Sequence, residues 1–206
     1  METPKSSYSA AVVLAAGLSS RMGRQKLLLE IDGMPLIRKV AAAYCAAGMS
    51  ETLVVTGHER QAVEQAVAGL GVRCVFNPDY AQGQAASIRA GLAALTEACD
   101  LVLIGLGDMP LLDAADIRAL RQRWAASAQP ICVPFCAGQR GHPIAFAAGQ
   151  IEAILAGRLR VGQQRLIEDN PERVDCWESD NPHYVIDIDT PADLSALPAR
   201  AGKPTG

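Results

Sequence analysis

Short apolar runs alternate with segments of helical periodicity along the first two thirds of this 206-residue chain, and this alternation limits the possible folds more than any other feature. A strand followed by a helix and then by another strand is typical of a mostly parallel sheet covered by helices. We therefore predict an α/β fold. The predicted strands are 10–15, 52–56, 72–76 and 101–106, and the predicted helices are 35–47, 59–68, 85–97 and 114–126.

The alternation weakens after residue 126, where the turn-rich segment 137–141 separates two apolar runs and predicts a hairpin-like pair of strands. Asp113 is the expected N-cap of the helix that precedes them. Segment 198–206 has no large apolar side chain to anchor it, so we predict a single domain over 8–197 followed by a disordered tail. The remaining predicted elements are strands 131–135, 143–147, 173–177 and 184–188, helices 149–156 and 162–169, and a short helix that starts at Pro191.

Charge and hydropathy exclude several classes of partner. The formal net charge is −3 and no basic face stands out, which argues against binding to nucleic acid. No apolar run is long enough to cross a bilayer, so no membrane partner is expected. The first nine residues are polar and the apolar run after them ends at Gly17, which favours a first strand over a secretion signal.

The six cysteines are scattered along the chain. Cys132 and Cys136 have no further partners at the spacing that metal sites use. Several of the six lie in apolar runs, where buried free thiols are the ordinary case, so we predict a reducing, cytoplasmic location.

A glycine-bearing loop directly after the first predicted strand is the strongest local indication of a ligand site. In parallel α/β folds this position is the carboxyl edge of the sheet, where ligands bind. Small residues let the backbone approach a phosphate, and Arg21 and Lys26 add positive charge. The spacing matches neither GxGxxG nor a Walker A loop, and a solvated turn with ordinary surface cations is the alternative. The loop runs Leu14-Ala15-Ala16-Gly17-Leu18-Ser19-Ser20-Arg21-Met22-Gly23.

Carboxylates at two places indicate a Mg²⁺ site. Asp108 follows a fully apolar strand and is better placed for a hard cation than for packing, although it could equally cap the next turn. Asp187 and Asp189 are two residues apart, so on a strand they share a face and repel unless a cation lies between them. The alternative is a pair that faces water, with Asp189 or Thr190 capping the helix at Pro191.

Two further segments carry weaker indications. Gln82, Gly83 and Ser87 precede or open a predicted helix, whose N-terminus can hold an anion or a ribose hydroxyl. His142 lies in a rigid frame between Gly141 and Pro143, where a structural role is the more common one for a lone histidine.

The segments LAAGLSSRMG with its following lysine, GDMP, RGHP and DIDTPADL occur in the order found in the MobA-like nucleotidyltransferase family, and the chain resembles that family from about Val12 to Leu194. It is most similar to the molybdenum cofactor cytidylyltransferase branch. The resemblance implies a single Rossmann-like three-layer domain of the nucleotide-diphospho-sugar transferase type.

By this resemblance, Arg21 and Lys26 hold the triphosphate of the donor nucleotide and, with Asp108, form the catalytic group. Asp108 and Asp187 would bind Mg²⁺, with Asp189 a less favoured third ligand. The segment from Gly141 through His142 to Pro143 would line the acceptor side. The implied nucleotide-binding residues are Leu14, Ala15, Ala16, Gly17, Arg21, Lys26, Gln82, Gly83 and Ser87.

The implied reaction transfers CMP from CTP to the terminal phosphate of a molybdopterin-type acceptor and releases pyrophosphate. Ala16 favours CTP, because cytidylyl-transferring relatives carry LAAG where guanylyl-transferring ones carry LAGG. The alternatives are a guanylyl- or sugar-phosphate nucleotidyltransferase of the same fold, or a non-catalytic carrier that brings cofactor to a molybdenum hydroxylase. Transient contact with a molybdenum enzyme belongs to the same expectation.

Overall fold

The computed structural model describes residues 8–19, 22–23, 25–161 and 165–197 of the chain. Arg21 and the tail 198–206, both named above, lie outside this part. The strands are β1 Ser9–Ala15, β2 Glu30–Ile31, β3 Met34–Pro35, β4 Glu51–Thr56, β5 Arg73–Phe76, β6 Leu101–Leu106, β7 Ile131–Cys136, β8 Gln139–Arg140, β9 Ile144–Ala147 and β10 Val174–Glu178. The α-helices are α1 Leu36–Ala46, α2 Arg60–Ala66, α3 Gln84–Ala93, α4 Ala114–Ala126, α5 Ile151–Leu155, α6 Arg165–Glu168 and α7 Pro191–Ala196.

The main sheet has the strand order β10-β7-β9-β6-β1-β4-β5, and β8 pairs with β7. β1 is parallel to both of its neighbours, β4 and β6, and β10 is parallel to β7. β9 is antiparallel to β6 and to β7, which confirms the predicted hairpin-like excursion. The carboxyl ends of β1, β4, β6 and β7 therefore lie along one edge, and β9 begins at that same edge.

The two faces of β1 bury alternate side chains, which is why helices cover the sheet on both sides. Ala11, Val13 and Ala15 belong to the core under α1, α2 and α4. Val12 and Leu14 belong to the core under α3, α5 and α6. The three-layer α/β architecture with a mostly parallel sheet is as the sequence predicts.

Local sequence explains where the helices begin. Asp113 caps α4 by accepting hydrogen bonds from the backbone N–H groups of Ala115 and Asp116, so its predicted role as N-cap is confirmed. Thr190, and not Asp189, caps α7. No helix among the described residues is long and apolar enough to span a membrane.

One predicted strand is wrong. Segment 184–188 forms no strand: a 3-10 turn covers Pro182–Tyr184, and the residues after it run outside the sheet. The reason is tertiary, because the backbone N–H of Ile188 donates to the carbonyl oxygen of Asp108 at 3.0 Å and the Ile188 side chain is buried. Asp187 and Asp189 therefore lie on an extended loop and not at the end of a strand.

Candidate functional site

The loop that follows β1 lies at the carboxyl edge of the sheet, as predicted, and the buried side chain of Gln25 holds it by hydrogen bonds. Gln25 is 6% exposed, and its side-chain amide donates to the carbonyl oxygens of Gly17 and His58, each at 3.4 Å. Its amide oxygen accepts from the Ser19 hydroxyl at 2.7 Å. Ala16 is joined to the next loop through its carbonyl oxygen, which accepts from the backbone N–H of His58 at 3.3 Å. The loops after β1 and β4 are thus hydrogen-bonded to each other and to Gln25.

A cavity of about 420 Å³, which we call the donor cavity, opens beside this loop. Most of the residues predicted from the sequence to bind nucleotide line it. Ala15 does not, because its side chain is buried on the opposite face of the sheet. Gln82 does not line it either: its amide is exposed and donates to Asp79 at 2.9 Å. The lining residues are Leu14, Ala16, Gly17, Leu18, Ser19, Lys26, Leu27, Tyr80, Ala81, Gly83, Gln84, Ser87, Leu106, Asp108 and Asp189.

Tyr80 is a cavity residue that the sequence pattern did not single out. It enters the site because Gly57 has no side chain: a Cβ at Gly57 would lie 2.6 Å from the Tyr80 Cβ and 2.8 Å from the Ala16 Cβ. The ring can therefore pack close to the loop after β1. The side chain of Ser87, another cavity residue, is held in place because its hydroxyl accepts a hydrogen bond from Asn77 Nδ2 at 3.0 Å in a buried pair.

Three carboxylates and one ammonium meet beside the donor cavity, and Lys26, Asp108 and Asp189 of this cluster line it. One oxygen from each of Asp108, Asp187 and Asp189 lies within 4.8 Å of the others. Lys26 Nζ is 2.6 Å from Asp108 Oδ2 and 2.7 Å from Asp189 Oδ1. The chain segments that carry these four residues are far apart in sequence, and the fold brings them to one point.

The pKa values of Lys26 and Asp187 are shifted by burial and by the neighbouring charges. Burial disfavours the charged form of Lys26, but the neighbouring carboxylates of Asp108 and Asp189 outweigh it and hold the lysine pKa above its ordinary value. Burial, together with the charges of Asp108 and Asp189, raises the pKa of Asp187. Among the residues that the structure describes, this cluster has more carboxylates than ammonium groups, so Lys26 only partly neutralises it.

These donors fit a hard divalent cation, which prefers carboxylate oxygens. Asp108 Oδ1 is buried and, among the described residues, has no hydrogen-bond partner, so it is an oxygen suited to ligation. The raised pKa of Asp187 shows that its charged form is disfavoured without a cation, and a cation close to that carboxylate would stabilise the charged form.

The Gly141–Pro143 segment lies beside the end of β6 but does not line the donor cavity. Burial and the nearby charge of Arg140 lower the pKa of His142 to about 4, so the ring is neutral at physiological pH. A neutral ring is a poor partner for a phosphate. Arg140 carries the charge instead, and it lines a second cavity of about 430 Å³ with Phe135, Gly138, Ile167 and Glu168.

Comparison with known proteins identifies the family. The model of the MobA-like NTP transferase domain matches residues 11–174. The chain belongs to this family. It is 32% identical over 189 residues to the molybdenum cofactor cytidylyltransferase of Escherichia coli K12, covering 89% of this chain and 92% of that protein. As a member of the MobA-like NTP transferase family, the chain is a nucleotidyltransferase, and its donor substrate is a nucleoside triphosphate.

Two solved structures share the fold of this chain. A nucleotidyl transferase from Methanothermobacter superposes with a TM-score of 0.77 at 27% identity, over 91% of this chain and 94% of its own. Rv0371c of Mycobacterium tuberculosis, solved in complex with manganese, superposes with a TM-score of 0.69 at 25% identity, over 91% and 96%. Nucleotidyltransferases of this fold typically use a divalent metal, and a manganese complex of a relative agrees with that.

Proposed function

We propose that this chain transfers CMP from CTP to the terminal phosphate of a molybdopterin-type acceptor and releases pyrophosphate. The observation that carries the proposal is a cluster of three carboxylates, two of them paired with Lys26, beside a cavity that is lined by a small-residue loop. That arrangement suits a triphosphate and a cation, and the identity to the E. coli cytidylyltransferase extends over nearly the whole of both chains.

The reaction needs little covalent assistance. An oxygen of the acceptor phosphate attacks the α-phosphorus of the nucleotide while the bond to the β-phosphate oxygen breaks and pyrophosphate leaves. The attacking oxygen is already anionic at neutral pH, so no strong general base is required. Positioning and neutralisation of charge then supply most of the catalysis.

Lys26 and Arg21 are proposed to hold the triphosphate, although Arg21 lies outside the described residues. Lys26 lines the donor cavity, so its ammonium reaches a bound phosphate once it gives up one of its two carboxylate partners. Asp108 and Asp187, with Asp189 beside them, would hold Mg²⁺, which supplies further positive charge to the triphosphate when bound.

The preference for CTP rests on Ala16, which is 5% exposed and lines the donor cavity. Its methyl group narrows the space where the backbone would otherwise approach a purine edge. One methyl group is worth about 1–3 kcal/mol, which gives roughly ten- to two-hundredfold discrimination. Stronger rejection of guanine must come from backbone groups that the wrong base leaves unpaired.

The test is pyrophosphate release by the full chain with each of the four nucleoside triphosphates, paired in turn with a molybdopterin-type acceptor and with a sugar phosphate. We expect the highest kcat/KM with CTP, and a smaller preference for CTP over GTP in an Ala16→Gly variant. A higher kcat/KM for GTP would overturn the donor assignment and favour the guanylyl-transferring alternative. Turnover only with a sugar phosphate would overturn the acceptor, and no turnover with any pair would favour a carrier.

A further inference from the structure

A buried carboxylate on α4, Asp116, is joined to the segment that carries Asp187 and Asp189 but lines neither cavity of the site. Its side chain is 8% exposed. Asp116 Oδ1 accepts from Asn181 Nδ2 at 2.5 Å, and Asp116 Oδ2 lies 2.9 Å from His183 Nδ1. The carboxylate thus fastens the turn at 181–184 to the first turn of α4.

The orientation of this carboxylate is itself fixed by the capping box of α4. Asp116 Oδ2 accepts from the backbone N–H of Asp113 at 2.9 Å, and Asp113 Oδ1 accepts from the backbone N–H of Asp116 at 3.0 Å. A buried carboxylate is costly unless its oxygens are hydrogen-bonded, so an arrangement that satisfies both oxygens is strongly preferred over its alternatives. Asp113, Asp116 and His183 also lie close enough to form a metal-binding group, but their geometry is accounted for by these hydrogen bonds.

The turn that Asp116 holds is also attached, through Tyr184, to the backbone of α4 and to the Gly141–His142 segment. The Tyr184 hydroxyl donates to the backbone carbonyl of Asp116 at 2.8 Å, and the Tyr184 carbonyl accepts from the backbone N–H of His142 at 2.8 Å. A Cβ at Gly141 would lie 2.5 Å from that carbonyl oxygen, so the two segments are in the closest contact that glycine allows. Four residues further on, the backbone N–H of Ile188 donates to the Asp108 carbonyl, between the two other carboxylates of the cluster.

We propose that Asp116 is a positioning residue for the cation site: by clamping the 181–184 turn, it sets the distance at which Asp187 and Asp189 face Asp108. The inference rests on the proposed function, because it requires that this carboxylate cluster binds a divalent cation. Asp116 itself contacts no reacting group. A carboxylate that served only to cap α4 would not need Asn181 and His183 as partners, and a cap alone predicts a loss of stability without a change in cation affinity.

The experiment is a titration of the full chain with Mn²⁺, in which free Mn²⁺ is followed by electron paramagnetic resonance. Asp116→Asn keeps the size of the side chain but removes its charge and places an amide N–H₂ against Asn181 or His183. We expect the Kd for Mn²⁺ to rise about tenfold, at the lower end of the 10–100-fold effects known for residues that orient metal ligands.

The matched control is Asp175→Asn. Asp175 pairs with Arg123 through two contacts of 2.7 Å and joins the other end of α4 to β10, so its loss also weakens an attachment of that helix. We expect the control to lower the Tm while leaving the Kd for Mn²⁺ at the wild-type value. An Asp116→Asn variant that loses stability like the control but binds Mn²⁺ like the wild type would overturn the proposal.

A second variant covers the case in which Asp116→Asn does not fold. His183 is about a third exposed, so His183→Ala removes one arm of the clamp with little risk to the core, and we expect a weaker effect in the same direction. Wild-type Mn²⁺ affinity in that variant would then count against the proposal. Failure of the proposed cation site would look different, since the wild type would bind Mn²⁺ no better than an Asp108→Asn variant.

Discussion

Replacing Lys26 by methionine removes the ammonium from the carboxylate cluster while it keeps an unbranched apolar stem in place. In the native protein Lys26 Nζ contacts two carboxylates at 2.6 and 2.7 Å, and the side chains of Lys26 and Asp108 are 14% and 15% exposed. Without the ammonium, three carboxylates face one another across at most 4.8 Å. The variant should therefore be destabilised in metal-free buffer.

The size of the effect lies between two limits. Exposed ion pairs contribute about 0–1 kcal/mol, and removal of one partner from a buried pair costs about 3–5 kcal/mol. This cluster is partly buried, so we expect a loss of about 2–3 kcal/mol. In a domain of this size that corresponds to a fall in Tm of roughly 5–10 °C.

The assay is thermal unfolding in EDTA and in millimolar Mg²⁺ or Mn²⁺, with pyrophosphate release measured in parallel. The cation should raise the Tm of Lys26→Met more than that of the wild type, because it replaces the missing positive charge. Turnover should fall by about a hundredfold or more, since the ammonium no longer neutralises the triphosphate.

Lys39→Met is the matched control, because Lys39 pairs with Asp32 at 2.7 Å and is 15% exposed, but lies on α1 away from the donor cavity. It should leave turnover and the response to cations unchanged. A Lys26→Met variant that unfolds at the wild-type temperature in EDTA, or that turns over at a near-normal rate, would refute the reasoning.

Three other predictions concern single residues. Asp108→Asn or Asp187→Asn should raise the metal concentration needed for half-maximal pyrophosphate release by about tenfold, and Asp189→Asn should raise it less; a larger effect of Asp189→Asn would contradict the ligand assignment. The pKa of His142 is lowered to about 4, so the unfolded chain binds the extra proton between pH 6.5 and 4, and stability should fall by up to about 3 kcal/mol as the pH drops through that window. Urea unfolding of wild type and His142→Gln should differ in this slope, and equal slopes would argue against the shift. Gly141→Ala should cost about 1–3 kcal/mol in the same unfolding experiment, because its Cβ would press on the Tyr184 carbonyl, and an unchanged midpoint would contradict that contact.

Features set by neighbours in sequence were predictable. The apolar runs 10–15 and 101–106 correspond to β1 and β6, and the helix predicted over 114–126 matches α4 with its N-cap at Asp113. The position of the glycine loop at the sheet edge followed from the same local patterns, since it comes directly after a buried strand.

Features set by distant pairings were not predictable. The alternation in Val185-Ile186-Asp187-Ile188-Asp189 is typical of a strand, yet the segment lies against the Asp108 loop, because a backbone hydrogen bond and the burial of Ile188 outweigh local propensity. The ion pair between Lys26 and Asp189, a residue 163 positions away, could not be predicted from local sequence either.

The place of β1 in the sheet has a consequence for how the chain folds during synthesis. β1 is synthesised before both strands that flank it, β4 and β6, so its second edge can be paired only after Leu101 and the rest of β6 have been synthesised. Sheets that join such distant segments form slowly, and until then two apolar faces and an open strand edge are exposed. Nascent chains that stop before Leu106 should therefore depend on chaperones far more than chains long enough to include β6.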